Sequence, residues 1–259
     1  MLRISHHSHY IISTSEKGWE MSYHYTNTSA AAFGAGLILQ DLKIENKAGP
    51  HGVQAVALLV AGDQSVINRC GIEGYHDTLY AHNNRQFYRD SWISGTVDVI
   101  FGNAAAAFQN CQIFARKPLN GHNKNTITAQ GRICPTQNSG MSFQDCQVLP
   151  ADDLKPVMGS VRTYLGRPWR TYARVVFMQS FLAEHIDPKG YISWNAGPDT
   201  VYYGEYQNWG PGANTKDRVK WPGCHSFTDS SEVEDFTVAR LIQGDTWLKY
   251  SGVPYKVWF

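Results

Sequence analysis

Two aspartates, Asp77 and Asp98, have the residue type and the surroundings for acid–base and nucleophilic chemistry. Asp98 lies inside the apolar run Val97–Phe101, and Asp77 is followed by Thr78, Leu79 and Tyr80. When two carboxyl groups lie close together, the pKa of one rises, while a nearby cation stabilises the other as an anion. Such a pair supplies one proton donor and one nucleophile. Aspartate is also common in surface turns, but the cost of burying a carboxylate favours a functional role.

Further residues have side chains suited to a site of this kind. Arg167 lies in a Gly-Arg-Pro turn next to Trp169, which would hold its guanidinium group stiffly for a bidentate pair with Asp98. A surface arginine stacked on tryptophan is the competing interpretation. Aromatic side chains could form the floor of a sugar-binding groove, although core packing is the better explanation for each one taken alone. These aromatic residues are Tyr80, Phe101, Tyr164, Trp169, Trp194 and Tyr203.

A short sequence repeat along the middle of the chain predicts how these residues are positioned. An apolar residue and two or three polar residues are followed by a small or apolar residue, which marks the register. The marks are Leu42, Cys70, Ser91, Cys111, Cys146 and Ser180. Their shortest spacing, near 20 and with longer insertions elsewhere, indicates a parallel β-helix, in which each coil stacks on the previous one. Cys70, Cys111 and Cys146 are then expected to lie in its core.

The repeat predicts that the candidate residues are neighbours. Asp77 and Asp98 each lie seven residues after a register mark, so they are separated by the same interval as Cys70 and Ser91, which is one coil. Equivalent residues on adjacent coils lie about 4.8 Å apart. Gln54, which precedes Asp77 by a similar interval, is expected about one coil below. Two carboxyl groups and one amide therefore form a single predicted patch.

Composition excludes several other classes of protein. Among the 259 residues, 23 are Lys or Arg and 22 are Asp or Glu, so the basic excess of a nucleic-acid-binding protein is missing. No apolar run approaches the roughly 20 residues of a membrane-spanning helix. The five cysteines form no CxxC pair, which argues against a structural zinc site, and they are expected to be mostly free buried thiols. The main helix candidate is Val233–Ile242.

Several ordered motifs together resemble the plant pectin methylesterases (pectinesterases). They are QAVAL, GYHDTLYAHNNRQFYRD, GTVDVIFGNA, LGRPW, GPGA and the tail FTVARLIQGDTWL with SGVPY. The resemblance implies an all-β, right-handed, single-stranded parallel β-helix with a short C-terminal helix. It extends over residues 34–259, which would form the catalytic domain. Residues 1–33 match poorly, and the first coils of the family are expected to be missing there.

The resemblance also implies a role for each residue that matches a family motif. Asp98 would be the nucleophile and Asp77 the general acid and then base, while Arg167 would orient Asp98. Gln54 would donate to the oxyanion. Tyr80, Phe101, Trp169 and Trp194 would contact the polysaccharide. The reaction would need no metal and no other cofactor, because both reacting groups are protein carboxyls.

The sequence departs from the family pattern next to the general acid. His76 stands where the family usually has a glutamine that is a second oxyanion donor. A histidine can still donate through a ring N–H. This exchange and the poorly matching N-terminus leave open a catalytically impaired pectin-binding protein. His6, His7 and His9 also lie close enough together to suggest a metal site, but a flexible polar N-terminus is the better explanation, and no metal site is expected there.

The resemblance implies a secreted, monomeric enzyme of the plant cell wall, although the chain shows no signal peptide. Its substrate would be methyl-esterified homogalacturonan, and a proteinaceous pectinesterase inhibitor is an expected partner. Neither a nucleic acid nor a membrane is expected as a partner. The other rival is a pectin-active β-helix glycosidase or lyase, because two carboxyl groups about 5 Å apart also suit a retaining glycosidase.

Overall fold

The computed structural model describes residues 3–4, 10–12, 28–51, 54–119, 121–194 and 197–259. Within them the chain winds through three parallel sheets, and each full coil contributes one strand to each sheet in the same order. All strand pairs are parallel. This architecture is a parallel β-helix, as the sequence repeat predicts.

The eight strands of sheet 1 are β4 (Ile38–Gln40), β7 (Ser65–Asn68), β10 (Arg85–Arg89), β13 (Ala105–Gln109), β16 (Gly140–Gln144), β19 (Arg174–Met178), β21 (Tyr202–Tyr206) and β22 (Cys224–Phe227). The seven strands of sheet 2 are β1 (Arg3–Ile4), β5 (Lys43–Glu45), β8 (Gly71–Glu73), β11 (Trp92–Gly95), β14 (Gln112–Ala115), β17 (Gln147–Pro150) and β20 (Phe181–Leu182). The seven strands of sheet 3 are β2 (Tyr10–Ile12), β3 (Ala30–Ala32), β6 (Leu58–Val60), β9 (Leu79–Ala81), β12 (Ile100–Gly102), β15 (Lys124–Gln130) and β18 (Arg162–Gly166).

The register of sheet 1 confirms the predicted coil lengths. On the strands from β4 to β19, the residues three positions before each register mark are direct partners of one another. They are Leu39, Ile67, Tyr88, Phe108, Phe143 and Phe177. Cys70, Cys111 and Cys146 are buried in the core as predicted. All five cysteines, each of which the structure describes, are free thiols.

The core is built as ladders of like side chains on successive coils. Phe108, Phe143 and Phe177 stack with ring centroids 4.6 and 4.5 Å apart, and Tyr88 extends this ladder at 4.3 Å from Phe108. The inner rings bury both faces against their neighbours, which joins hydrophobic burial to offset stacking. The ladder therefore stabilises the stacking of successive coils.

The C-terminal segment packs against the outer face of sheet 1 through short helices. These are α1 (Val238–Leu241) and α2 (Gly244–Trp247), and the 3₁₀ turns are Lys155–Ser160, Pro198–Thr200, Pro211–Ala213, Ser230–Phe236 and Leu248–Tyr250. The predicted continuous helix over Val233–Ile242 is wrong, because Thr237 has extended backbone (φ −69°, ψ 161°) and divides it. Its side chain instead caps α1 by accepting from the Arg240 N–H. Among the described residues, no helix is long and apolar enough to span a bilayer.

The predicted division at residue 33 remains a prediction. Most of residues 1–33, including His6, His7 and His9, lies outside the described residues. The described strand β3 within this segment pairs with β6 in sheet 3.

Candidate active site

The two aspartates lie at equivalent positions on neighbouring coils, as predicted from their spacing. Strand β9 pairs with β12 so that Leu79 faces Ile100, which places Asp77 beside Asp98 just before each strand. The Asp77 N–H donates to the Val97 carbonyl at 2.9 Å. Both aspartates are 3% exposed.

Both aspartates adopt left-handed backbone, which turns the chain sharply before it enters sheet 3. Their φ angles are 64° for Asp77 and 51° for Asp98. Asp and Asn tolerate this region better than most other residues with a side chain. At the end of the preceding strand β11, Gly95 has no room for a side chain, because a Cβ there would lie 2.4 Å from the Thr78 hydroxyl oxygen.

Asp98 is held by three donors to its carboxylate. Arg167 donates from Nε to Oδ1 at 2.8 Å and from Nη2 to Oδ2 at 2.7 Å, which is the bidentate pair that the sequence predicts. The Thr126 hydroxyl donates to Oδ1 at 2.7 Å, and its oxygen also accepts from the Asp98 N–H at 2.8 Å. The guanidinium group of Arg167 lies over the Trp194 ring, 3.7 Å from its centroid. Asp98 is therefore fixed in one orientation as an ion pair.

Asp77 has very different surroundings. Its carboxyl group accepts no hydrogen bond from any described residue, and His76 Nε2 lies 3.5 Å from its Oδ1. Burial and, secondly, the negative charge of Asp98 raise the pKa of Asp77 to about 8, while Arg167 opposes the shift. At neutral pH Asp77 is consequently protonated, next to a carboxylate that is ion-paired.

His76 is brought into the site as predicted, with its side chain 30% exposed. Burial lowers its pKa, and Arg167 and His122 add to this effect against the charge of Asp98. A neutral imidazole at this position has one N–H to donate and one lone pair.

Gln54 lies on the coil below Asp77, as predicted, but two residues away from the position directly beside Asp77. Strand β6 pairs with β9 so that Leu58 lies beside Leu79, which places Val56 one coil below Asp77, and Gln54 precedes Val56 by two residues. Gln54 is half-buried, and its side chain makes no hydrogen bond with a described residue. The amide is therefore a candidate donor to a bound ligand.

The aromatic residues divide between the site and the core. Tyr80 and Phe101, each three residues after an aspartate, stack at 4.3 Å, and the half-buried Trp169 lies 6.3 and 5.8 Å from their rings. Trp194 lies under Arg167. Tyr203 is not a groove residue, because it is buried in the core at 4.4 Å from Tyr191. Tyr164, Tyr80 and Phe101 are also buried, at 3%, 8% and 3% exposed, so the half-buried Trp169 and Trp194 are the more accessible of the candidate aromatic residues.

Thr126 is the site residue that the sequence reasoning missed. Strand β12 pairs with β15 so that Ile100 lies beside Thr128, and Thr126 therefore occupies the position equivalent to Asp98 on the next coil. The signal would have been a threonine one coil after Asp98, but the insertion before β15 makes this coil longer than the previous one.

The fold and the site define a class: a parallel β-helix protein with two buried, in-register carboxyl groups, one of them paired with an arginine. The family model described as Pectinesterase matches residues 5–245. Pectinesterase 3 of Solanum lycopersicum is 56% identical over 233 residues, which are 89% of this chain and 43% of the relative. Pectinesterase/pectinesterase inhibitor 18 of Arabidopsis thaliana is 54% identical over 236 residues, 90% of this chain and 42% of that protein.

A solved structure agrees with these sequence matches. The pectin methylesterase from carrot superposes with a TM-score of 0.90 and 45% identity, over 96% of this chain and 78% of that one. The chain therefore belongs to the pectinesterase family. It spans less than half the length of these two curated relatives.

Proposed function

We propose that this protein is a carboxylic ester hydrolase that removes methyl esters from the galacturonate units of pectin. The observation that carries the proposal is the contrast between two adjacent buried carboxyl groups, Asp98 ion-paired with Arg167 and Asp77 protonated by its burial. Membership of the pectinesterase family supports the same assignment.

In the first half of the reaction, an Asp98 carboxylate oxygen attacks the ester carbonyl. The carbonyl π bond breaks to give a tetrahedral oxyanion, for which Gln54 and the His76 N–H are the proposed donors. As the oxyanion collapses, the bond to the methoxy oxygen breaks and Asp77 gives its proton to the departing methanol. The product is an acyl-enzyme, a mixed anhydride between Asp98 and galacturonate.

In the second half, the Asp77 carboxylate removes a proton from a water molecule, which attacks the galacturonate carbonyl of the anhydride. The anhydride bond breaks, Asp98 leaves as a carboxylate and the substrate becomes a free acid. Asp77 is protonated again, so the site returns to its starting state. Arg167 and Thr126 orient Asp98 throughout and stabilise it as the leaving carboxylate.

The expected surroundings of the enzyme follow from this function. Tyr80, Phe101, Trp169 and Trp194 form the proposed contact with the sugar chain, since aromatic faces suit the apolar faces of sugars. A secreted cell-wall monomer is the form that the substrate and family suggest. The name of the Arabidopsis relative includes a pectinesterase inhibitor, and a proteinaceous inhibitor is accordingly the proposed macromolecular partner.

The test is methanol release from highly methylated pectin by the purified 259-residue chain. Asp98→Ala should abolish release while pectin binding persists, because the nucleophile is lost but the aromatic surface remains. Asp152→Ala, which changes an exposed carboxylate paired only with Lys155, should release methanol at the wild-type rate. Retained release in Asp98→Ala would refute the nucleophile assignment. Binding without release by the wild type would identify an impaired, pectin-binding protein, and chain shortening without methanol would identify a glycosidase.

A further inference from the structure

Three metal-ligating side chains converge in the site. His76, Asp77 and Asp98 each offer a ligand atom, and these atoms all lie within 4.8 Å of one another. His76 Nε2 and Asp77 Oδ1 are 3.5 Å apart, which is long for a hydrogen bond. It is close to the ~3.4 Å edge of a tetrahedron whose metal–ligand bonds are about 2.0–2.1 Å.

Each of the two carboxyl groups retains an acceptor for an additional partner. Among the described residues, Asp98 Oδ1 accepts two hydrogen bonds, whereas Oδ2 accepts one, from Arg167. The Asp77 carboxyl is 3% exposed and has no hydrogen-bond donor among the described residues. A buried carboxyl group that lacks a donor and faces an imidazole is an observation independent of the clustering.

We propose that His76, Asp77 and Asp98 form a binding site for a divalent transition-metal ion of the zinc class, which inhibits the enzyme when it binds. One nitrogen and two oxygen ligands suit zinc, with a water molecule as the fourth ligand, whereas magnesium and calcium favour oxygen ligands. On binding, the ion would displace the proton of Asp77 and would also occupy the Asp98 carboxylate that attacks the ester. The inhibition rests on the proposed function, but the binding of the ion does not.

His76 supplies the one nitrogen ligand of the proposed zinc site. With a glutamine at the position, as the resemblance implies for most of the family, the site would offer only the two carboxyl groups and a weakly coordinating amide. Arg167 repels a cation, so two carboxylates without the imidazole are a poor site for zinc. The affinity for zinc is therefore expected to depend mainly on residue 76.

The experiment is calorimetric titration of the full chain with Zn²⁺ in the absence of substrate. All proteins compared carry His6, His7 and His9 replaced by Gln, because these N-terminal histidines are a competing source of ligands. In this background, His76→Gln and Asp77→Asn should each weaken zinc binding by at least about tenfold. That is the smallest loss of affinity typical when a residue that only orients a metal ligand is replaced. His122→Gln is the matched control, since His122 is an exposed histidine close enough to His76 to interact with it electrostatically.

The result that overturns the proposal is equal zinc affinity in the background protein and in His76→Gln, or loss of binding in His122→Gln instead. Equal thermal unfolding curves without metal would show that each variant is folded, and Co²⁺ in place of Zn²⁺ should give a visible absorption band that His76→Gln lacks. Methanol release should be inhibited by Zn²⁺ in the background protein and resistant in His76→Gln. An active esterase without zinc binding would overturn this inference alone. Zinc binding by a protein that releases no methanol in metal-free buffer would overturn the proposed function alone.

Discussion

The two carboxyl groups of the site differ because of what each one contacts. Asp98 receives two N–H donors from Arg167 and one hydroxyl donor from Thr126, which compensate for its burial. Asp77 receives none from a described residue, and burial raises its pKa to about 8. A single patch therefore presents an anion and an acid at neutral pH, which is the division of roles that ester hydrolysis through an acyl-enzyme requires.

This difference predicts the alkaline limb of the rate profile. Asp77 must be protonated to donate to methanol, and its acid form is lost as the pH rises through about 8. The value of kcat/KM should therefore fall above about pH 8, approaching a tenfold loss per pH unit. The measurement is methanol release from a short methylated oligogalacturonide, with Asp98→Ala as the blank for spontaneous hydrolysis. A flat profile well beyond pH 9 would show that Asp77 is not the acid.

Thr126 is expected to be a positioning residue for the nucleophile. Thr126→Val keeps the shape of the side chain but removes a donor to the Asp98 carboxylate and the acceptor of the Asp98 N–H. Loss of buried hydrogen bonds of this kind costs about 1–3 kcal/mol, so kcat should fall roughly 10- to 100-fold. Thr126→Ser restores both groups and should recover most of kcat. If serine is no better than valine, the hydroxyl group does not orient Asp98.

The sequence predicted the positions of the two aspartates better than those of the residues around them. Asp77 and Asp98 belong to two successive coils with no insertion between them, so their spacing was sufficient to place them side by side. Thr126 and Arg167 come after insertions that lengthen the later coils. Their approach to Asp98 depends on how these insertions fold, which a repeat period does not specify.

At the scale of elements, the turn from sheet 1 to sheet 2 is the most regular feature of the coils. In each of seven coils, one residue in this turn has left-handed backbone with φ between 49° and 57°. These residues are Asp41, Arg69, Asp90, Asn110, Asp145, Gln179 and Gln207. The first six directly precede the register marks of the sequence. The sequence repeat therefore marks this turn as well as the core position. The polar residue there was visible in the sequence, but its backbone conformation was not.

The turn predicts which substitutions a coil tolerates. Asn110 has φ 53°, and its Nδ2 donates to Asp90 Oδ1 at 2.7 Å. Asn110→Val should destabilise the protein by about 1–2 kcal/mol, because a β-branched residue is strained in left-handed backbone. Asn110→Gly should cost much less, since glycine adopts this region freely. Urea unfolding of the three proteins measures the difference, and equal costs for valine and glycine would contradict the strain argument.

At the scale of the whole molecule, the C-terminal segment closes the outer face of sheet 1. Gln109 donates to the Lys256 carbonyl and accepts from its N–H, and Gln144 donates to the Trp258 carbonyl. Gln109 also donates to Gln144 at 2.7 Å, so this amide ladder joins neighbouring coils to the tail. The contacts with the tail link residues that are far apart along the chain. No local pattern in the sequence predicts them, because the partners come together only when the coils have stacked.

A buried histidine away from the site makes the stability of the whole solenoid sensitive to acid. His185 is 6% exposed, and neither of its ring nitrogens has a hydrogen-bond partner in the structure. Burial lowers the pKa of His185 from 6.5 to about 4, with a smaller opposing effect of Glu184. The imidazole is therefore neutral in the folded protein over a range of pH in which it is already protonated in the unfolded chain.

The sign of the effect on stability follows from this difference in proton binding. Above about pH 6.5 neither state holds the extra proton, and His185 leaves the free energy of unfolding independent of pH. As the pH falls towards 4, the unfolded chain binds a proton that the folded chain excludes, so stability is lost by up to about 3 kcal/mol. His185→Leu replaces the imidazole with a side chain of similar size that does not titrate and should remove this part of the acid sensitivity. Urea unfolding of both proteins at about pH 7.5 and about pH 4.5 measures it: the decrease in unfolding free energy should be smaller in the leucine variant by about 2–3 kcal/mol, and equal decreases would mean that the solenoid accommodates a charged His185.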